Sequence, residues 1–199
     1  MEEERDSKTQ NPPKEIRTER LLLRQWVAAD RAPFAAMNAD PEVAAYLPGT
    51  IARAESDAFA DRIEAHFHSH GYGLWAVEAP GVTPFAGFVG LLIPRFEARF
   101  TPCVEIGWRL AHAYWGQGYA TEAAGAALDF GFRQLGLEEI VSFTVPDNAR
   151  SRAVMERIGM TRDPDGDFDH PRLPEGHRLR KHVLYRIRRV ELNAGKLMQ

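Results

Sequence analysis

Residues 104–123 of this chain, Val-Glu-Ile-Gly-Trp-Arg-Leu-Ala-His-Ala-Tyr-Trp-Gly-Gln-Gly-Tyr-Ala-Thr-Glu-Ala, limit the choice of folds more than any other stretch. They read as a strand, a short loop, and two glycines that open an alanine-rich helix. The first N–H groups of a helix have no partner inside it, and the helix dipole favours negative charge beside them. Gly116 and Gly118 allow φ > 0 and let the main chain come close to a ligand. The stretch therefore predicts an anionic group held by backbone N–H groups.

Three kinds of glycine loop open a helix in this way. A P-loop ends in Gly-Lys-Ser/Thr, whereas this loop continues as Gly118-Tyr119-Ala120, which excludes it. A dinucleotide fingerprint needs glycine or alanine where this chain has Thr121, and it starts directly after the strand; here Ala111 to Trp115 intervene. The third kind is a resemblance. Trp115-Gly116-Gln117-Gly118-Tyr119-Ala120 resembles the coenzyme A pyrophosphate loop, Gln/Arg-x-x-Gly-x-Gly/Ala, of the GNAT superfamily of N-acetyltransferases, with Trp115 replacing Gln/Arg. That departure is familiar in the branch of ribosomal-protein N-terminal acetylases (the Rim type), which the chain resembles most.

The remaining sequence runs in the order this resemblance implies. Ala124, Ala127, Leu128, Gly131 and Leu135 share a helical face, and Gly136 stops that helix. Ile140 to Val145 is β-branched and aromatic, hence a strand. Asn148 to Met160 resembles the family's second signature, Asn-x-x-Ser followed by a helix ending in Glu-Lys-x-Gly-Phe. Upstream, Arg17 to Trp26 resembles the branch's opening strand. Helical patterns follow near Asp30–Asn38 and Ala52–Ser69, and strands near Leu74–Glu78 and Phe85–Ile93. Residues 167–177 read as a polar Pro/Gly-rich loop, and His182–Arg188 as a closing strand. The resemblance implies a single-domain α/β GNAT fold over residues 15–190, with a mixed, mostly antiparallel twisted sheet and helices on both faces. Residues 1–14 read as a disordered tail and 191–199 as a C-terminal tail.

Composition agrees with one globular domain: 44% hydrophobic and 27% charged residues in a chain of 199. No stretch is long or apolar enough to span a membrane, and the acidic N-terminus lacks a signal-peptide pattern. A single cysteine, Cys103, fits a cytoplasmic protein. The net charge of −3 does not suggest nucleic acid as a partner. His170, His177 and His182 fit no common zinc spacing, so no metal is expected. His66, His68 and His70 read as a solvated helix face. The basic residues between Arg178 and Arg189 read as solvated surface, or as a contact for the cofactor's 3′-phosphate or an acidic partner. A homodimer is compatible with this composition.

Acetyl transfer to an amine needs a neutral nucleophile, a stabilised oxyanion and a proton for the departing thiolate. The resemblance implies acetyl-CoA as co-substrate. Its pyrophosphate would lie on Gly116, Gln117, Gly118, Tyr119, Ala120 and Thr121. Its pantetheine arm would lie on backbone of Trp108, Arg109 and Leu110, where Glu105–Leu110 splays from Ile140–Val145. A bulge typical of the family would occur in the first of these strands. Glu105 is the candidate base, or an ordinary strand carboxylate facing solvent or Arg109. Many relatives place a tyrosine where this chain has Met155, so Ser151 becomes the candidate acid, or merely a helix-lining residue. Asn148 would bond the cofactor's amide arm or cap the helix. Competing readings are a catalytically silent acyl-CoA-binding domain and a nucleotide-binding enzyme of another fold. The acceptor could be a protein N-terminus or a small amine, because acceptor loops vary freely on one scaffold.

Overall fold

The computed structural model describes residues 15–189. The two tails expected at 1–14 and 191–199 lie outside the described residues. Eight strands form one sheet: β1 (Ile16–Arg17), β2 (Leu22–Arg24), β3 (Leu74–Ala79), β4 (Thr83–Leu92), β5 (Glu105–Leu110), β6 (Glu139–Thr144), β7 (Thr161–Asp169) and β8 (Lys181–Arg188). Their order is β1-β2-β3-β4-β5-β6-β8-β7. Every pairing is antiparallel except β5 with β6.

Helices cover both faces. On one side lie α1 (Arg31–Asn38), the single turn α2 (Pro41–Ala44) and α3 (Arg53–His70); on the other lie α4 (Tyr119–Arg133) and α5 (Ala149–Arg157). Alternation along β4 and β5 sorts the core. Phe88 and Arg109 point towards α1 and α3, where Trp26, Phe34, Phe59 and Phe88 pack edge to face, with Trp26 and Phe34 centroids 4.8 Å apart. Such pairs add about 0.5–1.5 kcal/mol beyond the area they bury. Leu91 and Ile106 point the other way, beneath α4. The small residues of α4 let it come close: a Cβ on Gly131 would sit 2.8 Å from Ile140 and 2.9 Å from Leu91.

Two expectations are corrected. The opening strand Arg17–Trp26 is two short strands, because residues 18–21 turn back and Thr18 N–H donates to the Leu21 carbonyl. Residues 161–169, whose last three read as loop, form β7. Pro164 and Gly166 fall where its register against β8 shifts, between Asp163 and Phe168. An edge strand tolerates both residues there because its outer N–H groups need no partner.

Candidate active site

The sheet forks between β5 and β6. They share one register pair, Glu105 with Val141, and the Val141 N–H donates to the Val104 carbonyl at 3.0 Å. One residue later the ladder stops: the Ile106 carbonyl accepts instead from the Ser142 hydroxyl at 2.9 Å. β6 stays paired with β8 as far as Thr144, so β5 diverges from it and a cleft opens.

The register of β4 and β5 runs unbroken from Gly87–Leu110 to Leu92–Glu105. The bulge expected in β5 is absent, and simple alternation fixes every direction. The Ala111 N–H donates to the Ala86 carbonyl, which marks Phe88–Arg109 as another hydrogen-bonded pair. The backbone groups of Arg109 therefore face β4. Those of Trp108 and Leu110 face the fork. The Leu110 carbonyl is taken by the Trp115 indole N–H at 2.8 Å, leaving the Leu110 N–H and both Trp108 groups directed into the cleft. Trp115 thus closes the end of β5, with the Arg150 guanidinium stacked 4.4 Å from its ring centre. A Gln or Arg side chain at this position could not offer that face.

The glycine loop continues from there. Gly116 has φ +74° and Gly118 has φ +80°. The N–H groups of Gly116, Gln117, Gly118, Tyr119, Ala120 and Thr121 donate to no other described residue. They sit at the N-terminus of the 15-residue α4. Such an arrangement can cradle an anion, and its unpaired N–H groups are enough for a pyrophosphate.

Glu105 lies on the face of β5 opposite to α4. It keeps a solvent-accessible edge, yet desolvation by the protein around it pushes its carboxyl up to about 8, and no described residue pairs with it. Burial also pushes the Cys103 thiol up to about 11, with Glu105 adding to the effect, so Cys103 is a protonated thiol. Arg109 does not pair with Glu105. Its guanidinium donates to Asn38 Oδ1 at 2.6 Å and stacks over Phe59 and Phe88, and burial lowers it to about 10. Buried Asn38 donates in turn to Ser56 at 2.9 Å.

Beyond the fork, the face that carries Glu105 is aromatic. Phe143, Phe168, His170 and His182 meet there beneath Phe96 and Phe100, with Phe100 and Phe168 centroids 4.8 Å apart and the two histidines 5.1 Å apart. Burial pushes His170 down to about 4 and lowers His182, so both are neutral at pH 7. His66 is likewise no solvated residue: it stacks on His70 at 4.4 Å, and desolvation lowers it to about 4. Among the described residues no group of three His, Cys, Asp or Glu side chains could hold a metal ion. No helix among them is long and apolar enough to cross a membrane.

Asn148 caps α5. Its carbonyl oxygen accepts from the Ser151 N–H at 3.2 Å, and its amide donates to Thr144 at 3.1 Å. Asn148→Ala is expected to lower stability by about 1 kcal/mol, the usual worth of such a cap, as a urea midpoint would show. The Ser151 hydroxyl has no described partner and stays partly accessible, whereas Met155 is fully buried. A tyrosine introduced at 155 would have to bury its hydroxyl in the core. Much of the basic run is not free surface: Arg186 bridges Asp163 and Glu139, Arg188 meets Glu139, Arg189 meets Glu138, and Arg180 meets Asp169.

A forked mixed sheet beside a glycine loop at a helix N-terminus defines an acyl-CoA N-acyltransferase architecture. Residues 20–161 match the family model "Acetyltransferase (GNAT) domain". The chain belongs to the GNAT acetyltransferase family and has its single-domain α/β fold. It is similar to the uncharacterized N-acetyltransferase YnaD of Bacillus subtilis (strain 168), 28% identical over 179 residues, covering 89% of this chain and 99% of that one. A crystal structure of a GNAT-family acetyltransferase from Bacillus anthracis superposes with a TM-score of 0.72 at 28% identity, covering 87% and 98% of the two chains. Mycobacterium smegmatis RimJ in complex with CoA-disulfide shares the fold, with a TM-score of 0.68 at 22% identity over 86% and 83% of the chains.

Proposed function

We propose that this protein is an N-acetyltransferase that moves an acetyl group from acetyl-CoA to a primary amine by direct transfer in a ternary complex. The observation that carries this reading is the fork after Ile106, with free Trp108 backbone on one side and the unpaired N–H groups of residues 116–121 at its mouth. Bound acetyl-CoA supplies an activated thioester. The N–H groups of Gly116, Gln117, Gly118, Tyr119, Ala120 and Thr121 hold its pyrophosphate. Trp108 and the Leu110 N–H align the pantetheine arm, and a backbone N–H aimed at the acyl carbonyl stabilises charge developing on its oxygen. Arg109, whose backbone faces β4, holds no part of the cofactor; its side chain ties Asn38 and the Phe59 and Phe88 rings together under β5. Asn148 contributes by holding α5, and its second amide hydrogen is available to the cofactor arm.

Glu105 removes the amine proton, directly or through one water. A carboxyl raised to about 8 is matched to a proton acceptor working near neutral pH. The Ser151 hydroxyl hydrogen-bonds the departing sulfur. A protonated Cys103 and the absence of any activated nucleophile among the described residues favour direct transfer over an acetyl-enzyme. The acceptor approaches the Glu105 face, beside the aromatic wall of Phe143 and Phe168. The Trp115 departure favours the Rim-type branch, and with it a protein N-terminus or a small amine in the cytoplasm.

The test is a CoA-release screen of acetyl-CoA against α-amino peptides, polyamines and amino acids, coupled to mass analysis of the protein after acetyl-CoA alone. The expected result is amine-dependent CoA release with an unmodified protein. A stable acetyl adduct on the chain would overturn direct transfer. With a productive amine in hand, Ser151→Ala is expected to lower turnover by about 2- to 10-fold, the worth of one neutral hydrogen bond, while CoA affinity in calorimetry stays unchanged.

A further inference from the structure

We propose that Arg20 is a positioning residue that aims the Gly118 N–H at the pyrophosphate of the acyl donor. This rests on the assignment of residues 116–121 as the pyrophosphate cradle. The loop 116–118 is exposed, and the one side chain among the described residues that bonds to its backbone is Arg20. Its Nη1 donates to the Gln117 carbonyl at 3.0 Å. In a planar trans peptide the carbonyl of one residue and the N–H of the next point in opposite directions. Fixing the Gln117 carbonyl towards Arg20 therefore turns the Gly118 N–H the other way.

Arg20 is itself held. Its Nε donates to Glu122 Oε2 at 2.7 Å, Nη2 lies 2.6 Å from the same oxygen, and its own N–H donates to Oε1 at 2.9 Å. The Thr18 hydroxyl donates to Oε1 at 2.6 Å. Burial works against the Glu122 charge, but the hydrogen bonds from Thr18 and Arg20 outweigh it, and the carboxyl stays below its usual range. The guanidinium also lies 5.2 Å from the Tyr119 ring centre. Glu122 sits in the first turn of α4, where an unpaired carboxylate would repel a phosphate. Arg20 cancels that charge and sets the loop in one arrangement.

The geometry separates aiming from plain attraction. A lysine at 20 keeps the charge, but a single ammonium lacks the planar fork that grips Glu122 and Gln117 together. An arginine that merely attracted the donor's 3′-phosphate would lose its importance when that phosphate is absent.

The experiment measures CoA and dephospho-CoA affinities by calorimetry for the wild type, Arg20→Ala and Arg20→Lys, with Gly118→Val as control and melting curves to verify folding. The expected result is a loss of about 10-fold or more for both ligands in Arg20→Ala, with less than half of it, on a logarithmic scale, recovered in Arg20→Lys. Full recovery by lysine, a loss confined to CoA, or unchanged affinity in a folded Arg20→Ala would overturn the proposal. An unchanged affinity in Gly118→Val would instead overturn the cradle itself. If Arg20→Ala fails to fold, Glu122→Gln, which leaves one acceptor oxygen where Arg20 and Thr18 now use two, is expected to weaken both ligands alike by about threefold or more; an affinity within about threefold, or a loss confined to CoA, would count against aiming by Arg20.

Discussion

Glu105→Gln is expected to lower turnover about 100-fold or more while leaving acetyl-CoA affinity intact, because the substitution keeps the shape of the side chain and removes its basicity. The pH profile carries the same information. In the wild type kcat/KM should rise with pH and level off above about 8, the value to which desolvation pushes this carboxyl. The rise assigned to Glu105 should vanish in Glu105→Gln. Stability should move oppositely. The folded protein holds the Glu105 proton up to about pH 8, whereas the unfolded chain releases it near 4.5. Between those values the folded state binds more protons, so this group's contribution to stability falls as pH rises. Glu105→Gln should therefore melt higher than the wild type at pH 8–9, and the difference should shrink at pH 5. A variant with full activity across this range would move the role to water or to the acceptor's own ionisation.

Gly118→Val is expected to weaken CoA binding by about 100-fold, equivalent to the loss of one or two charge-assisted hydrogen bonds. Three effects act together. At φ +80° a β-branched residue is strained. A Cβ there would lie 3.2 Å from Arg20 Nη2. The added side chain also stands where the ligand must approach. Calorimetry on the folded variant measures the loss. Gly116, at φ +74° with nothing within 4 Å of an added Cβ, offers a contrast: Gly116→Ala meets the backbone strain without the clash and should cost less.

Elements with a clear period were legible. The apolar positions of α4, the pattern of α3 and the runs of β3, β4, β6 and β8 fall within a few residues of the sequence-based expectation, because each side chain there simply records which face is buried. The glycine loop was legible for a different reason: Gly116 and Gly118 adopt a backbone conformation that few other residues tolerate. β7 was not, since a segment containing Pro164 and Gly166 owes its strand geometry to β8, not to its own propensity. Nor were the directions of β5. Only its unbroken register with β4 shows that Arg109 turns its backbone away from the fork and that Glu105, four residues earlier on the same face, has no counter-charge.

The sequence by itself therefore determined that a strand, a glycine loop and an alanine-rich helix follow one another, because these are local properties written in residue type and spacing. The tertiary structure alone decided two things that depend on distant partners. Ser142 ends the β5–β6 ladder by bonding Ile106, 36 positions away. Arg20 reaches across 102 positions to Glu122 and 97 to Gln117. Hydrogen bonds of that kind leave no periodic trace in a chain, since their distance and angle are set only when separate elements pack.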